Sequence, residues 1–369
     1  MGAYALDVHT TGQNNTAVGT YALDAQTTAD GNTAVGYAAG TALTTGEKNV
    51  AMGESALATA TTGTYSVAIG VAALYANTTG SNNTSLGKSS LESNTTASHN
   101  VAVGVSCMAN NTTGAENVAM GNYALDANTT ASFNVAVGVH ALGACTVGAS
   151  NVAVGYEALK ANTTAANNTA VGYGALQANT TGAQVTAFGV SAGYSNTTGS
   201  NNLFLGREAG YSGSPGGNIT TGSNEIVLGD ENITEAHIQV DWTIASDKRD
   251  KTDVSPMDLG LEFINKLEPV TYRWDKRSKY NKDQSVVPDG THKEEQLEGG
   301  FLAQDVEAIE EEYGYAYSDK TNLITHLSDD GKMYGITYSK LVPMLTKAVQ
   351  ELSAEVEDLK KKAHDKCSN

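Results

Sequence analysis

The stretch "NTAVGYGALQANTTGAQ", residues 168–184, is written again and again along this chain. The glycine of its AVG core is Gly172. Glycines stand in the same context at Gly19, Gly36, Gly53, Gly70, Gly87, Gly104, Gly121, Gly138, Gly155, Gly189 and Gly206, every step being 17 residues. Gly2, followed by Ala5 and Leu6, keeps the register. A fixed short period is the signature of a solenoid, in which each repeat is one rung stacked on the next.

The positions around the glycine say what each rung must satisfy. Three residues before it the chain places only Thr or Val, from Thr16 to Thr186, and one residue before it only apolar side chains, from Val18 to Phe188. β-branched residues at period two signal a strand. Ala lies between them in these rungs except at Ser85. Ala three and usually Leu four residues after the glycine (Ala175, Leu176) mark a second short strand or turn, and "NTTG"-like turns close the rung.

Successive strand residues point to opposite faces. The Val/Thr pair is expected to face the inside of the roll, which sends Ala and the glycine outward. The position after the glycine varies freely (Thr20, Glu54, Lys88, Asn122, Arg207), whereas the Ala hardly varies. Smallness kept at every rung then reads as the place where another backbone packs. The reading is a mostly β protein: a parallel β-roll of 17-residue repeats associating side by side as a homotrimer. The competing reading is a monomeric left-handed β-helix, whose hexapeptide rungs favour an 18-residue period. At about 4.8 Å per rung, thirteen rungs give a rod of roughly 60 Å.

Composition narrows the function. The net charge of −18 is spread unevenly: residues 1–245 hold 4 Lys+Arg against 15 Asp+Glu, and residues 246–369 hold 18 against 25. No basic stripe suits phosphates, so nucleic acid is excluded as a partner. No apolar run approaches 18 residues, so no membrane insertion is expected, and no signal segment opens the chain. Cys107, Cys145 and Cys367 are too few and too scattered for a disulfide framework or a zinc site. No cofactor or metal is expected.

"NVAVGYEAL" (151–159) and "SVAIGVAAL" (66–74) resemble the head repeats of trimeric autotransporter adhesins, whose heads are trimeric β-rolls. The resemblance covers residues 2–230, and the repeats of that family are somewhat shorter. Those adhesins also carry a signal peptide and a membrane-anchoring barrel, neither of which is expected here.

The shaft or head is assigned to residues 1–206. The next equivalent glycine after Gly206 is Gly229, 23 residues on, and "YSGSPGGNITTGSN" (211–224) holds the extra residues and the solenoid's proline, Pro215. Residues 207–245 are therefore read as a modified terminal rung and neck, since open solenoid ends need capping. At the other end, either the chain is a fragment or another protein covers the first rung.

From Ala245 the composition becomes charged: "ASDKRDKTDVSPMDLGLEFINKLEPVTYRWD" (245–275), "EGGFLAQDVEAI" (298–309) and "GITYSKLVPMLTKAVQELSAEVEDLKKK" (335–362). The residues alone describe a small α/β module ending in a long helix. Val342, Leu345, Val349, Leu352, Val356, Leu359 and Ala363 are spaced 3, 4, 3, 4, 3, 4, which predicts a coiled coil over about 341–363. Val at a with Leu at d favours two strands by that rule, against the three proposed for the roll.

The ordered motifs S-D-x-R-x-K, L-x-P-V-x-Y-x-W, G-x-x-A-Q-D-V and Y-x-x-L-V-P-x-L closely resemble the self-cleaving, endosialidase-type intramolecular chaperone at the C-terminus of phage tailspikes and tail fibres. The resemblance spans 246–369. It implies a domain that trimerises, guides folding of the β-rich fibre ahead of it, and then cuts itself off. Carried over, Ser246 is the nucleophile attacking the carbonyl of Ala245, and Lys251 is its general base. Asp250 departs from the family, which has an apolar residue there. A carboxylate beside Lys251 favours the ammonium, whereas a base must be neutral. Taken without the resemblance, "SDKRDK" reads as a charged turn.

A chaperone also makes physical sense. Identical ladders invite slips by one rung, because each rung matches its neighbours. Long solenoids with unpaired edges aggregate while folding, and removing the clamp afterwards makes unfolding kinetically one-way.

His9, His99, His140, His237, His292, His326 and His364 show no ligand spacing and read as surface residues. The sequons at Asn77, Asn94, Asn111, Asn128, Asn162, Asn179 and Asn196 are explained by turns, and Asn at strand starts (Asn15 to Asn202) by a stacked amide ladder. Tyr37, Tyr156, Tyr173, Tyr194 and Tyr211 fall at variable positions expected to be exposed, where aromatic faces suit sugar rings. The pairs Glu310/Glu311 and Asp329/Asp330 read as solvated. The whole is read as a trimeric phage tail fibre of the virion, made in the host cytoplasm, that binds a host cell-surface glycan or protein receptor and meets another tail or baseplate protein at its N-terminal end. The alternatives are a tailspike depolymerase, which needs paired carboxylates that Glu54, Glu92, Glu116, Asp126 and Glu157 do not supply, and a bacterial surface adhesin.

Overall fold

The computed structural model describes residues 2–239, 244–281, 284–328 and 331–367, in two compact units that meet in sequence at Asp230 and Glu231. Val240–Thr243 of the neck and the pair Asp329/Asp330 lie outside the described residues.

In the first unit, thirteen three-residue strands, β1 (Thr16–Val18) to β13 (Ile226–Leu228), form one parallel sheet in strict chain order. The register is one full repeat at each step: Thr169, Ala170 and Val171 pair with Thr186, Ala187 and Phe188. The last step, from Leu203–Leu205 to Ile226–Leu228, absorbs the longer repeat. The remaining legs of each rung also bond to the rung above: the Leu176 N–H donates to the Ala192 carbonyl at 2.9 Å, and the Thr180 N–H to the Thr197 carbonyl at 2.8 Å.

The expected facing of the strands is reversed. In all thirteen the central residue is buried and both flanking residues are at least partly open to solvent. Ala170 and its equivalents belong to the interior of their own roll, against the Ala175 and Leu176 types of the facing leg. The glycine does not face outward either. At Gly172 φ is 139°, and a Cβ there would stand 2.2 Å from the carbonyl oxygen of Gly189, so its bareness serves the close stacking of rungs. The alanines are small because the rung is thin and Leu from the opposite leg fills it. One rung shows this directly. Phe204 replaces the alanine and is fully buried, while glycines stand where Leu is usual at Gly193 and Gly210, and a Cβ at either would press into the Phe204 ring.

Outward, then, point Thr or Val on one side of the alanine and Val, Met, Ile, Leu or Phe on the other. Met52 is 40% exposed, Leu86 45%, Met120 42% and Phe188 58%. These apolar side chains form one column along the roll, and the residues before the alanine form a second, mixed column in which Thr16, Thr33, Thr84, Thr169 and Thr186 alternate with Val, Leu and Ile.

Two polar ladders run inside. Each strand-start Asn bridges rungs: the Asn168 N–H donates to Asn151 Oδ1 at 3.0 Å, and Asn168 Nδ2 donates to the Gly182 carbonyl at 3.0 Å. The sequon asparagines are fully buried and hand one bond on, Asn94 to Asn77 at 2.8 Å, Asn111 to Asn94 at 2.9 Å and Asn128 to Asn111 at 2.7 Å. The rungs also hold non-glycine residues in the left-handed region, such as Glu157 (φ 54°), Leu159 (φ 52°) and Asn167 (φ 62°). Each costs on the order of 1 kcal/mol, repaid only once rungs stack.

In the second unit α1 (Leu261–Lys266) is followed by β14 (Val270–Tyr272), which pairs antiparallel with β15 (Glu298–Gly300). Then come α2 (Ala303–Glu312), the antiparallel pair β16 (Thr325–Leu327) and β17 (Tyr334–Ile336), and α3 (Leu341–Cys367). Leu259, Phe263, Leu267, Val306, Ile324, Leu341 and Met344 make its core. The first turns of α3 thus pack on α1, with Pro343 tolerated there because first-turn N–H groups need no partner within the helix. The heptad residues Val342, Leu345, Val349, Leu352, Val356 and Leu359 are all exposed. Among the described residues no helix is long and apolar enough to cross a membrane.

Candidate functional site

The segment beginning at Ala245 is exposed, and a single turn of 3₁₀ helix, Lys248–Asp250, shapes it. Asp247 caps that turn: its side chain accepts the Arg249 N–H at 2.9 Å, and its carboxylate pairs with the Arg249 guanidinium at 2.6 Å. The guanidinium holds the Asp247 carboxyl below its ordinary range. The turn carries Lys251 back over Ser246, where Lys251 Nζ donates to Ser246 Oγ at 2.6 Å. Among the described residues no ion pair joins Asp250 to Lys251. The two residues singled out for acyl chemistry are thus brought together by a local turn, and both are exposed in the single chain.

Residues 246–315 match the family model described as chaperone of endosialidase. The chain carries a chaperone-of-endosialidase domain. The match opens at Ser246, the residue whose hydroxyl meets Lys251, and ends before β16. No curated protein and no solved structure matches the chain.

Within the chaperone domain Glu310 departs from expectation. It is fully buried, not solvated. Its Oε1 accepts the N–H groups of Leu323 and Ile324, both at 2.8 Å, and its Oε2 accepts the Thr325 N–H at 3.1 Å and the Thr325 hydroxyl at 2.6 Å. A carboxylate with four donors staples α2 to the start of β16. An EE pair in a charged helix gives no sign in sequence of which member turns inward.

On the roll, the tyrosines separate into groups. Tyr156 and Tyr173 are exposed and stacked on successive rungs, with centroids 5.2 Å apart and planes 11° from parallel. Tyr194 and Tyr211 are half-buried rather than exposed and meet edge to face at 5.3 Å. Tyr37 is exposed and meets Tyr21 edge to face, with centroids 6.0 Å apart. The polar partners around Tyr156 escape a reading of residue spacing, because they come from two different rungs. Glu157 pairs with Lys160 at 2.7 Å and accepts from Gln177 Nε2 on the next rung. The Lys160 hydrogen bond lowers the Glu157 carboxyl, and the Glu157 charge raises the Tyr156 phenol.

Among the histidines, His9 bonds the Gly12 carbonyl, His140 stacks on Tyr123, and His237 meets Glu235. Among the described residues no three His, Cys, Asp or Glu side chains come together as a metal site. Cys107 and Cys145 are free and buried, and burial pushes the Cys107 thiol up to about 12.

Proposed function

We propose that this chain is a phage tail fibre protein that binds the host surface, trimerised and folded by its C-terminal chaperone domain, which then cuts the bond between Ala245 and Ser246. The carrying observation is the Ser246–Lys251 contact at the first residue of the family match. In the reaction the neutral Lys251 amine takes the Ser246 hydroxyl proton and Oγ adds to the Ala245 carbonyl carbon. The C–N bond of the peptide breaks as the Lys251 ammonium returns the proton to the leaving amine. Water then hydrolyses the resulting ester and restores the serine. A lysine becomes a base when burial disfavours its ammonium form. Both partners are exposed in one chain, so in this reading association supplies the burial, and cleavage follows assembly.

Two surfaces support self-association. The exposed heptad seam of α3 is one. The outward column that follows the alanine is the other: it stays apolar over thirteen rungs, from Val18 to Leu228, while the neighbouring outward position runs through Glu54, Lys88, Asn122 and Arg207. The sister-contact role first given to the alanines passes to this column. The endosialidase-type family implies a trimer, and three copies close both surfaces. The left-handed residues make an isolated rung unfavourable, so the chaperone domain has work to do in holding chains in register until rungs stack.

The test is expression of the full chain followed by a denaturing gel. Two fragments divided at residue 245 are expected, and a single band from Ser246→Ala. An intact wild-type chain contradicts cleavage.

A further inference from the structure

The last two rungs of the roll differ from the others on the outside and on the inside. In β1 to β11 the residue before the central one is Thr or Val, so only the column after it is apolar throughout. From Leu203–Leu205 onward both columns carry large apolar side chains. Leu203 pairs in register with Ile226 and Leu205 with Leu228, and Phe188 extends the second column by one rung. Ile226 is 66% exposed and Leu228 47%, so a bulky apolar patch faces water there. Inside, Phe204 and Val227 stand where alanine is usual, and both are buried. Gly193 and Gly210 (φ 60° and 72°) take the left-handed position that Leu159 and Leu176 hold at φ 52° and 51°. Glycine keeps that backbone without the cost of a side chain, and the larger core residues bury more apolar surface per rung. These rungs therefore lean less on their neighbours than the thin ones before them.

We infer that Phe188, Leu203, Leu205, Ile226 and Leu228 form a clasp, which binds the same patch on two further copies of this chain and holds them once the chaperone domain is gone. The inference rests on the reading of the chain as a trimer that sheds residues 246–369, and it names the rungs that keep the copies together afterwards. Three arguments make a second copy the occupant. The chaperone-of-endosialidase match implies self-association. In a ring of three each roll has two neighbours, and two apolar columns side by side offer one to each. The patch also continues the apolar column of the other rungs and lies before Ala245, so it stays with the roll after cleavage.

The test is sedimentation, over a dilution series, of the roll released when the full chain is expressed and cuts itself. Leu203→Thr with Ile226→Thr copies the residue that Thr169 and Thr186 hold at the same position, so the fold accepts it. It should raise the concentration at which the rolls separate at least tenfold. Leu205→Glu with Ile226→Glu should raise it at least a hundredfold, with cleavage unchanged in both. Val18→Glu with Val35→Glu, at the far end of the apolar column, should act less than the threonine pair. Separation unchanged in both clasp variants, or a larger effect from the far end, overturns the clasp. Loss of cleavage by a folded glutamate variant does so too, because it assigns the patch to the chaperone domain. A wild-type roll that falls to monomers once cut also overturns it, and leaves cleavage and the trimer of uncut chains standing. A monomeric Ser246→Ala chain, or a wild-type chain that stays uncut, removes that reading and the clasp together.

Discussion

Glu116 sits at a position where the backbone is left-handed, φ 58°, and its side chain is exposed. Asn14, Asn82, Asn167 and Asn201 fill the same position in other rungs. Asn tolerates this region better than Glu, so Glu116→Asn should stabilise the roll by about 0.5 kcal/mol, read as a higher urea midpoint. An unchanged or lower midpoint contradicts the cost assigned to these residues. Cys107 offers a pH test at the same scale. Its folded-state pKa, about 12, lies above the ordinary 9.0. The stability from burying the neutral thiol is therefore fully present below pH 9.0, and is lost as pH rises through about 12. Cys107→Ala should flatten the alkaline loss of stability, and an unaltered profile refutes the assignment.

At the scale of elements, the heptad seam of α3 carries the sharpest expectation. Val349 and Leu352 are exposed and contribute nothing to the core of their own chain. Val349→Asp with Leu352→Asp should leave the domain folded by circular dichroism while reducing self-association and, with it, cleavage. Cleavage at the wild-type rate by a monomeric variant contradicts the coupling. On the roll, Met120→Glu with Leu86→Glu should likewise weaken association without unfolding the rungs, since both side chains point outward.

Much of this is legible in the residues and some is not. The 17-residue step, the strand at Thr169–Val171 and the glycine that stacks rungs follow from residue spacing. Which face is inside does not follow from alternation alone, because both the alanine column and the Val/Thr columns avoid charge. Volume decides it. Where Phe204 replaces the alanine, Leu gives way to Gly193 and Gly210 in the facing leg, and only residues sharing one interior compensate in that way. Ser246 and Lys251 stand out through their resemblance to a family and not through spacing. Glu310 carries no such sign, since its four donors come from β16 and the residues before it, at least 13 positions further along the chain.

At the scale of the whole molecule, a roll held together only by stacking depends on something that fixes register before rungs close. Internal polar ladders, left-handed residues and identical rungs all make a partly formed stack costly or ambiguous. The chaperone domain answers that need, and in the proposed reading its removal at Ala245 leaves a roll that cannot retrace its folding path. The most direct test is native mass spectrometry of the purified product of the full-length gene beside its Ser246→Ala variant. Three chains ending at Ala245 are expected from the wild type and three intact chains from the variant, whereas an uncleaved monomer from the wild type contradicts the account.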